Sequence, residues 1–272
     1  MSATRFRLRG EPERRLDLSA LTPRRLAGLD EAAVARLKLA GGRDAPSVGD
    51  LFKLSAGDAD TVVIEGGSPL LDHVGAGLEG GLLVLEGDVG DFAGRGMTGG
   101  RLELRGSAGR LAASGLRGGT VEIAGNAGAL LAGPLPGERA GMDGGTVLLR
   151  GSAGSQACDR MRRGLVVVEG DAGPQAASRM IAGTLVVCGR VGVSPGMLLR
   201  RGTMVLGHAV PAPDGFLPSG HTPGVFRTLL TAWLRALSPA AGDAAARAGR
   251  RLLGDQAALG RGEMLMPREP PD

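Results

Sequence analysis

The chain repeats one short unit about every nineteen residues between Thr61 and His208, and this period limits its fold more than any other feature. Two intervals are longer than the others, by two residues after the first copy and by seven after the fourth. A unit this short cannot bury an apolar face by itself, so successive copies must stack along one axis. The repeat therefore predicts a solenoid. The eight copies begin at Thr61, Leu82, Arg101, Thr120, Thr146, Leu165, Thr184 and Thr203.

Each copy carries inward-facing positions at fixed places. The second and fourth positions are always apolar, from Val62 and Ile64 in the first copy to Met204 and Leu206 in the last. Alternation with a period of two indicates a short strand. The eighth, twelfth and sixteenth positions add columns of small residues, mostly alanine, and of Met or Leu. We therefore predict a mainly β fold, a right-handed single-stranded parallel β-helix of about eight rungs with short α-helical flanks at both ends.

The flanks of the repeat divide the chain into three segments. Residues 1–60 are expected to form an N-terminal capping segment, with a helix from Leu26 to Leu39 that Asp30 caps. Residues 61–210 form the glycine-rich β-helix. Residues 211–272 form a C-terminal helical segment and tail, with an amphipathic helix from Thr222 to Leu237 that carries a proline near its first turn.

The outward third position of each copy forms what we call the outer stripe. It is acidic at Glu103 and Glu122, in the middle of the repeat, and apolar towards both ends. An apolar surface of this size requires a cover. The sequence leaves two alternatives for this cover, the chain's own flanks or a partner subunit. The apolar members are Val63, Val84, Leu148, Val167, Val186 and Val205.

A glycine follows almost every strand of the repeat. We predict that these glycines lie at turns, where a positive φ favours glycine. The next position holds a column of short polar residues, including Asp88, Ser107 and Asn126, which we interpret as a turn column and not as a set of metal ligands. The structural turn glycines are Gly66, Gly87, Gly106, Gly125, Gly151, Gly170 and Gly189.

Composition excludes several classes of protein. Two cysteines in 272 residues do not make a disulfide framework and are typical of a reducing compartment. No apolar run is long enough to cross a membrane, and the first residues lack the apolar stretch of a signal peptide. The net charge of +4 comes from dispersed arginines without interleaved aromatic residues. We therefore expect a cytoplasmic protein that binds neither nucleic acid nor membranes.

Several motifs resemble nucleotide-binding or metal-binding sites, but the sequence around each of them does not support such a site. Two segments, 75–80 and 94–99, match the dinucleotide pattern GxGxxG, but each runs into another strand where a nucleotide site needs a helix. Cys158 and Cys188 occupy different positions of the repeat, and the three histidines, His73, His208 and His221, are scattered. The sequence thus predicts no catalytic, cofactor-binding or metal-binding residue in this chain.

The seven-residue insertion is the feature most suited to a contact. It interrupts one rung with Pro134 and Pro136 and places Glu138 and Arg139 on a protruding loop. Insertions in solenoids form loops, and loops on rigid scaffolds commonly make contacts. We predict an interface loop at these four residues; the alternative is a tolerated bulge without function.

The repeat and its flanks together resemble a known family. The glycine-rich repeat is similar to the β-helix shared by the C subunit of formylmethanofuran dehydrogenase and the C-terminal domain of the glutamate synthase large subunit. The segments 16–42, 49–54 and 254–265 resemble the ends of the free-standing C subunit. The Arg-, Ala- and Gly-rich composition favours a bacterial source, for which the resemblance implies the formyltransferase/hydrolase complex of methylotrophs.

The resemblance implies a role for this chain within a larger assembly, a hetero-oligomer. The expected partners are an amidohydrolase-like A subunit that uses zinc, a B subunit and a formyltransferase D subunit. The complex would move a formyl group from tetrahydromethanopterin to a methanofuran-like carrier and release formate, with this chain as a noncatalytic scaffold that binds no cofactor itself. Two alternatives remain at this point: a ligand-handling role in which outward arginines guide an anionic carrier tail, and a glutamate-synthase-type β-helix support. The arginines of the first alternative are Arg105, Arg150, Arg163 and Arg201.

Overall fold

A computed structural model describes residues 3–39, 45–220 and 224–268. The helices are α1 (Pro23–Leu26), α2 (Glu31–Ala35), α3 (Val48–Leu51), α4 (Gly224–Leu237) and α5 (Pro239–Arg247), with a 3₁₀ turn at Gln256–Ala258. The strands are β1 (Ala3–Leu8), β2 (Leu16–Asp17), β3 (Phe52–Ser55), β4 (Asp58–Glu65), β5 (Leu71–Asp72), β6 (Leu82–Glu86), β7 (Arg101–Leu104), β8 (Thr120–Ile123), β9 (Asp143–Leu149), β10 (Arg163–Val168), β11 (Thr184–Val187), β12 (Arg201–Leu206), β13 (Leu217–Pro218), β14 (Arg250–Gly254) and β15 (Arg261–Met266).

One large, mostly parallel sheet of 13 strands organises the fold. Its central eight strands, β4 and β6 to β12, come from the eight copies of the repeat and lie side by side in chain order. Equivalent positions pair, so Thr61 lies opposite Leu82. The pairing also continues across the seven-residue insertion, where Thr120 lies opposite Thr146. The predicted mainly β class is confirmed, and each copy of the repeat contributes one strand to a parallel sheet.

A second ladder joins the copies after the turn that follows each strand. The small residues of the eighth position form parallel bridges from copy to copy, as between Ala108 and Ala127. Beside it, polar side chains of the turn column accept hydrogen bonds from the backbone N–H of the next copy. The Asp88 carboxylate accepts from Ser107 at 2.7 Å, and the Ser107 hydroxyl accepts from Asn126 at 3.1 Å. These residues therefore cap the stacking edge, in agreement with their interpretation as a turn column.

A third ladder runs through backbone that no strand pattern anticipates. The eleventh, thirteenth and fifteenth positions of most copies have positive φ, including non-glycine residues such as Leu111 at 59° and Ala113 at 57°. The N–H of Leu111 donates to the next copy at 3.0 Å, whereas the N–H of Ala113 donates to the preceding copy at 2.7 Å. Left-handed backbone is costly for such residues, and these repeated hydrogen bonds offset the cost.

The inward columns predicted from the repeat are confirmed as the core. All sixteen side chains at the second and fourth positions are buried, with Leu104 the most exposed at 2%. The Met and Leu residues of the sixteenth position, from Leu78 to Leu199, are all fully buried. Small Ala and flexible Met suit close packing between stacked copies, which explains why few large rings are needed.

The flanking segments extend the sheet at both ends. At the N-terminal end, β1 adds a parallel strand beside β4, and β3 then pairs with β1 in the antiparallel direction. At the other end, β15 adds a parallel strand beside β12, followed by the antiparallel strands β14 and β13. These added strands were not predicted, because their sequences do not follow the repeat.

The predicted N-terminal helix is wrong in its extent. A single helix from Leu26 to Leu39 was expected, but α1 ends at Leu26 and α2 covers only Glu31–Ala35. Gly28 has a φ of 78° and separates the two. The N-cap at Asp30 is confirmed, since its carboxylate accepts from the N–H of Ala33 at 2.7 Å.

The C-terminal amphipathic helix is present as α4 and ends at Leu237, as predicted. Thr222 and Pro223 of the predicted range lie outside the described residues, as does His221. A second helix, α5, was not predicted. It starts after Ser238, whose hydroxyl accepts from the N–H of Ala241 at 3.3 Å.

Most of the turn glycines are required for a different physical reason from the predicted one. Positive φ is confirmed only at Gly66 (94°) and Gly87 (132°). The other five lie outside the left-handed region, and a Cβ atom there would come closer than 3.0 Å to backbone atoms of the preceding copy. Glycine is therefore required because the copies stack so closely. These five residues are Gly106, Gly125, Gly151, Gly170 and Gly189.

Candidate interaction surface

The C-terminal part of the outer stripe is covered by the chain itself. Helices α4 and α5 place apolar side chains against the stripe, and the side chains on both sides of this contact are buried. The alanines of α5 allow it to approach the sheet closely. At the other end, Val63 and Val84 are buried too. Of the two alternatives for the cover, the chain's own flank accounts for the C-terminal end, so the stripe is not the surface offered to partners. The contact consists of Leu234, Ala241, Ala244 and Ala245 on the helices and Leu148, Val167, Val186 and Val205 on the stripe.

The insertion loop is held against the repeat and protrudes less than predicted. The Glu138 carboxylate accepts from Arg95 at 3.2 Å and from the N–H of Leu135 at 2.9 Å. The carbonyl oxygen of Glu138 accepts from Arg160 at 3.0 Å. Pro134 is buried, whereas Pro136 and Arg139 are exposed. The interface loop thus presents two of its four predicted residues on a fixed surface.

A groove lined by arginines lies on one side of this loop. It consists of two adjoining cavities of about 460 and 610 Å³ that share Ile181, Arg200 and Leu259. We call it the arginine groove. Its first cavity also contains Arg162, Arg163 and Arg201, and its second contains Arg139, Arg160 and Arg179.

A buried carboxylate supports the floor of this groove. Asp159 is 2% exposed and forms a two-pronged pair with Arg179, at 2.9 Å to Nε and 2.8 Å to the terminal nitrogen. The Nε atom of Arg160 lies 3.8 Å from the same carboxylate. Such planar pairing fixes the guanidinium orientation. The Asp143 carboxylate forms longer ion pairs, with a terminal guanidinium nitrogen of Arg162 at 3.8 Å and with one of Arg163 at 3.5 Å.

We expect Arg179→Ala to lower the free energy of unfolding by about 3 kcal/mol, because it leaves the buried Asp159 charge without its main partner. Urea unfolding followed by circular dichroism measures this loss. Adding Asp159→Asn should recover more than half of it, since the amide has the same shape and no charge. A double variant no more stable than Arg179→Ala would show that the loss comes from packing and not from charge.

The arginines predicted to guide an anionic tail do not form one face. Arg105 pairs with Glu86 at 2.7 Å, and Arg150 pairs with Glu169. Only Arg163 and Arg201 line the arginine groove. Of the other five arginines of the groove, Arg139 was predicted as part of the interface loop, and the remaining four were not predicted. The sequence contained one signal for this cluster. The arginine pairs at 162–163 and 200–201 lie two periods apart, so the repeat places them at equivalent positions.

The described cysteines and histidines, Cys158, Cys188, His73 and His208, do not assemble a reactive centre. Burial raises the pKa of the Cys158 thiol, and burial, followed by the nearby Glu169 charge, raises the pKa of Cys188 to about 11. Both thiols are therefore poor nucleophiles at neutral pH. The His73 ring stacks on Phe92 with centroids 4.8 Å apart, and His208 is exposed. Among residues 3–39, 45–220 and 224–268, no three His, Cys, Asp or Glu side chains are grouped to hold a metal ion.

The remaining sequence motifs have structural explanations. In both GxGxxG segments the first two glycines have positive φ, and the strands β6 and β7 follow. Asp72 accepts hydrogen bonds from Arg15 at 2.6 Å and from the N–H of Asp91 at 2.7 Å. Within the part of the chain that the structure describes, no helix has the length and apolarity needed to cross a bilayer. The glycines with positive φ in the two GxGxxG segments are Gly75, Gly77, Gly94 and Gly96.

Comparison with known proteins gives two informative matches. No family model matches the chain. A segment of 85 residues is 46% identical to the C subunit of the formyltransferase/hydrolase complex Fhc of Methylorubrum extorquens, covering 31% of this chain and 32% of that protein. A chain in the crystal structure of the formyltransferase/hydrolase complex (FhcABCD) from the same organism, in complex with methylofuran, superposes with a TM-score of 0.93 at 42% identity. That superposition covers 97% of this chain and 100% of the solved one.

The chain belongs to the family of C subunits of the formyltransferase/hydrolase complex. This membership confirms the resemblance in the repeat and flanks. It also decides between the two families that share the glycine-rich repeat, in favour of the C subunit.

Proposed function

We propose that this chain is a noncatalytic structural subunit of a formyltransferase/hydrolase complex in one-carbon metabolism. The observation that carries the proposal is the match over almost the whole chain to one component of the solved FhcABCD complex. The partners are an amidohydrolase-like A subunit, a B subunit and a formyltransferase D subunit. These partners transfer the formyl group from tetrahydromethanopterin to a methanofuran-like carrier and release formate.

We also infer that the repeat winds as a right-handed, single-stranded parallel β-helix. The strand ladder, the bridges between eighth positions and the ladder through left-handed backbone each join one copy to the next. Three such ladders per copy support a closed, three-sided rung. Right-handed winding is the normal hand of connections between parallel strands. Residues 1–60 and 211–272 then close the two ends of residues 61–210.

The chemistry of the complex is assigned to the partners. The resemblance implies zinc, but the described residues of this chain provide no grouped set of three ligands for it. Both thiols are also held protonated by burial. We therefore place zinc and the carrier's reacting end in partner subunits and assign no reaction step to this chain. The cytoplasm remains our expected location for the complex.

Co-expression with the A, B and D subunits tests the proposed function. We expect this chain to co-purify with them in a fixed ratio. Partners prepared without it should assemble poorly, and adding the purified chain should restore both assembly and formate release. Full assembly and activity of the partners without this chain would contradict the scaffold role.

Deleting residues 134–140 tests the interface loop. The deletion restores the nineteen-residue interval between copies, so the rungs on either side can still pair. We expect at least a tenfold loss of affinity for the partner subunits, with a thermal unfolding midpoint close to that of the wild type. Pro136→Ser is the control, because it changes one exposed residue of the loop and leaves the rest of the loop in place. Unchanged assembly after the deletion would favour the functionless bulge.

A further inference from the structure

We propose that the arginine groove binds an acidic segment of a partner polypeptide in an extended conformation, with one apolar side chain of that segment on the groove floor. The inference rests on the proposed function, because the segment belongs to a partner subunit. Its basis is the charge, the apolar floor and the spacing of the groove.

The groove has a large excess of positive charge. Seven arginines line it, and no acidic side chain does among the residues that the structure describes. Behind these arginines, the partly exposed Asp143 and the buried Asp159 pair with four of the seven. Arg139, Arg200 and Arg201 form no ion pair with any described residue. Stacked copies bring these like charges together, and carboxylates from outside would relieve their repulsion and accept strong hydrogen bonds.

The floor of the groove is apolar, which favours a polypeptide over a simple polycarboxylate. Leu198 is 40% exposed and Leu259 is 65% exposed, and Ile181 lies between the two cavities. Leu259 follows a 3₁₀ turn whose N-cap is Asp255, and that carboxylate also accepts from the N–H of Leu198 at 3.0 Å. The leucines are therefore held in place. An apolar side chain of the bound segment would cover these leucines, and the acidic side chains on either side of it would lie at the rim of the groove.

The spacing of the arginines suits an extended chain. Arg163 and Arg201 belong to equivalent positions two rungs apart, which corresponds to about 9.6 Å at the usual separation of paired strands. An extended polypeptide advances about 3.3 Å per residue. Acidic residues three positions apart can therefore reach arginines that lie two rungs apart. A partner segment with acidic residues at this spacing and an apolar residue between them matches this pattern.

Fluorescence anisotropy with the full chain and labelled peptides tests the groove directly. The peptide Glu-Glu-Leu-Glu-Glu should bind at least tenfold more weakly to Arg200→Glu/Arg201→Glu than to the wild type. Arg110→Glu/Arg190→Glu is the matched control, because these exposed arginines lie outside the groove and the change in net charge is equal. Its affinity should stay within twofold of the wild type. Equal losses in both double variants would show attraction to the whole molecule and overturn the proposal.

The apolar floor needs a separate comparison. Replacing the central leucine of the peptide with alanine should weaken binding to the wild type about threefold. The Leu259→Ser variant should lose this preference, since Leu259 is exposed and its replacement leaves the fold intact. A peptide of five glutamates that binds as tightly as the leucine peptide would indicate a polycarboxylate site, such as one for a carrier tail, and would overturn the polypeptide assignment.

Photocrosslinking in the assembled complex identifies the occupant. With p-benzoylphenylalanine in place of Leu259, we expect a crosslink to an acidic segment of one of the three partner subunits that mass spectrometry can map. A crosslink to the carrier, or to a basic or neutral segment, would overturn the inference. Co-purification of the partners is recorded in the same experiment. Failure to assemble would contradict the proposed function, whereas assembly without this crosslink would contradict only the inference about the groove.

Discussion

Replacing Gly106 with alanine should lower the free energy of unfolding by about 3 kcal/mol, the upper range for forcing extra atoms into a packed core. A Cβ atom at Gly106 would come closer than 3.0 Å to the backbone carbonyl of Gly87 in the preceding copy of the repeat. The obstacle is backbone that belongs to the ladder, so no side-chain rotation removes it. Urea unfolding followed by circular dichroism gives the shift in the midpoint.

Gly80→Ala is the matched control for this change. Its Cβ atom would meet nothing within 4 Å, and the φ of Gly80 lies outside the left-handed region. We expect a shift of less than about 0.5 kcal/mol, as for most surface substitutions. If the two variants unfold alike, close stacking is not the reason for glycine at the turn.

Introducing a charge under helix α5 should detach the C-terminal cover. Ala245 is fully buried between α5 and the outer stripe, so Ala245→Glu places a carboxylate there without a partner. We expect a cost of about 4 kcal/mol, because an unpaired buried charge costs several kcal/mol. The helices α4 and α5 pack on the outer stripe, so the cover should open before neighbouring copies of the repeat separate. Amide hydrogen exchange of residues 224–248 measures this opening.

The next residue of the same helix provides the control. Ala246 is exposed, and Ala246→Glu adds the same side chain to the same helix. We expect exchange in the cover to remain at the wild-type rate. Faster exchange in the control as well would mean that helix propensity, and not burial against Val186 and Val205, holds the cover.

The sequence predicted the repeating part of this protein well. Side chains such as Val121 and Met161 are buried, as predicted. Their burial could be predicted because alternation and periodicity depend only on residues that are close in sequence or one period away. The left-handed positions were missed because residues such as Leu111 and Gln156 carry no local preference for positive φ. Their conformation depends on hydrogen bonds to adjacent copies of the repeat, and single-residue propensities do not include these bonds.

The interaction surface was predicted only in part. The insertion loop is visible in the sequence as a break in the period, but its attachment through Glu138 to Arg95 spans 43 residues. The arginine groove also depends on distant segments, since Leu259 lines it together with arginines of the fifth to seventh copies of the repeat. Neither contact follows from periodicity, because each joins the repeat to a segment outside it.

The antiparallel strands at the two ends of the sheet have a consequence for how such proteins change in length. The outermost strands are β3 and the two-residue β13, which contains Pro218, and short or proline-bearing edges resist pairing with another chain. Copies of this protein should therefore not polymerise end to end. Gene duplication of one internal copy would instead lengthen the molecule by about 4.8 Å while both ends stay closed. The distances between partner-binding positions in related subunits should accordingly differ by whole multiples of this step.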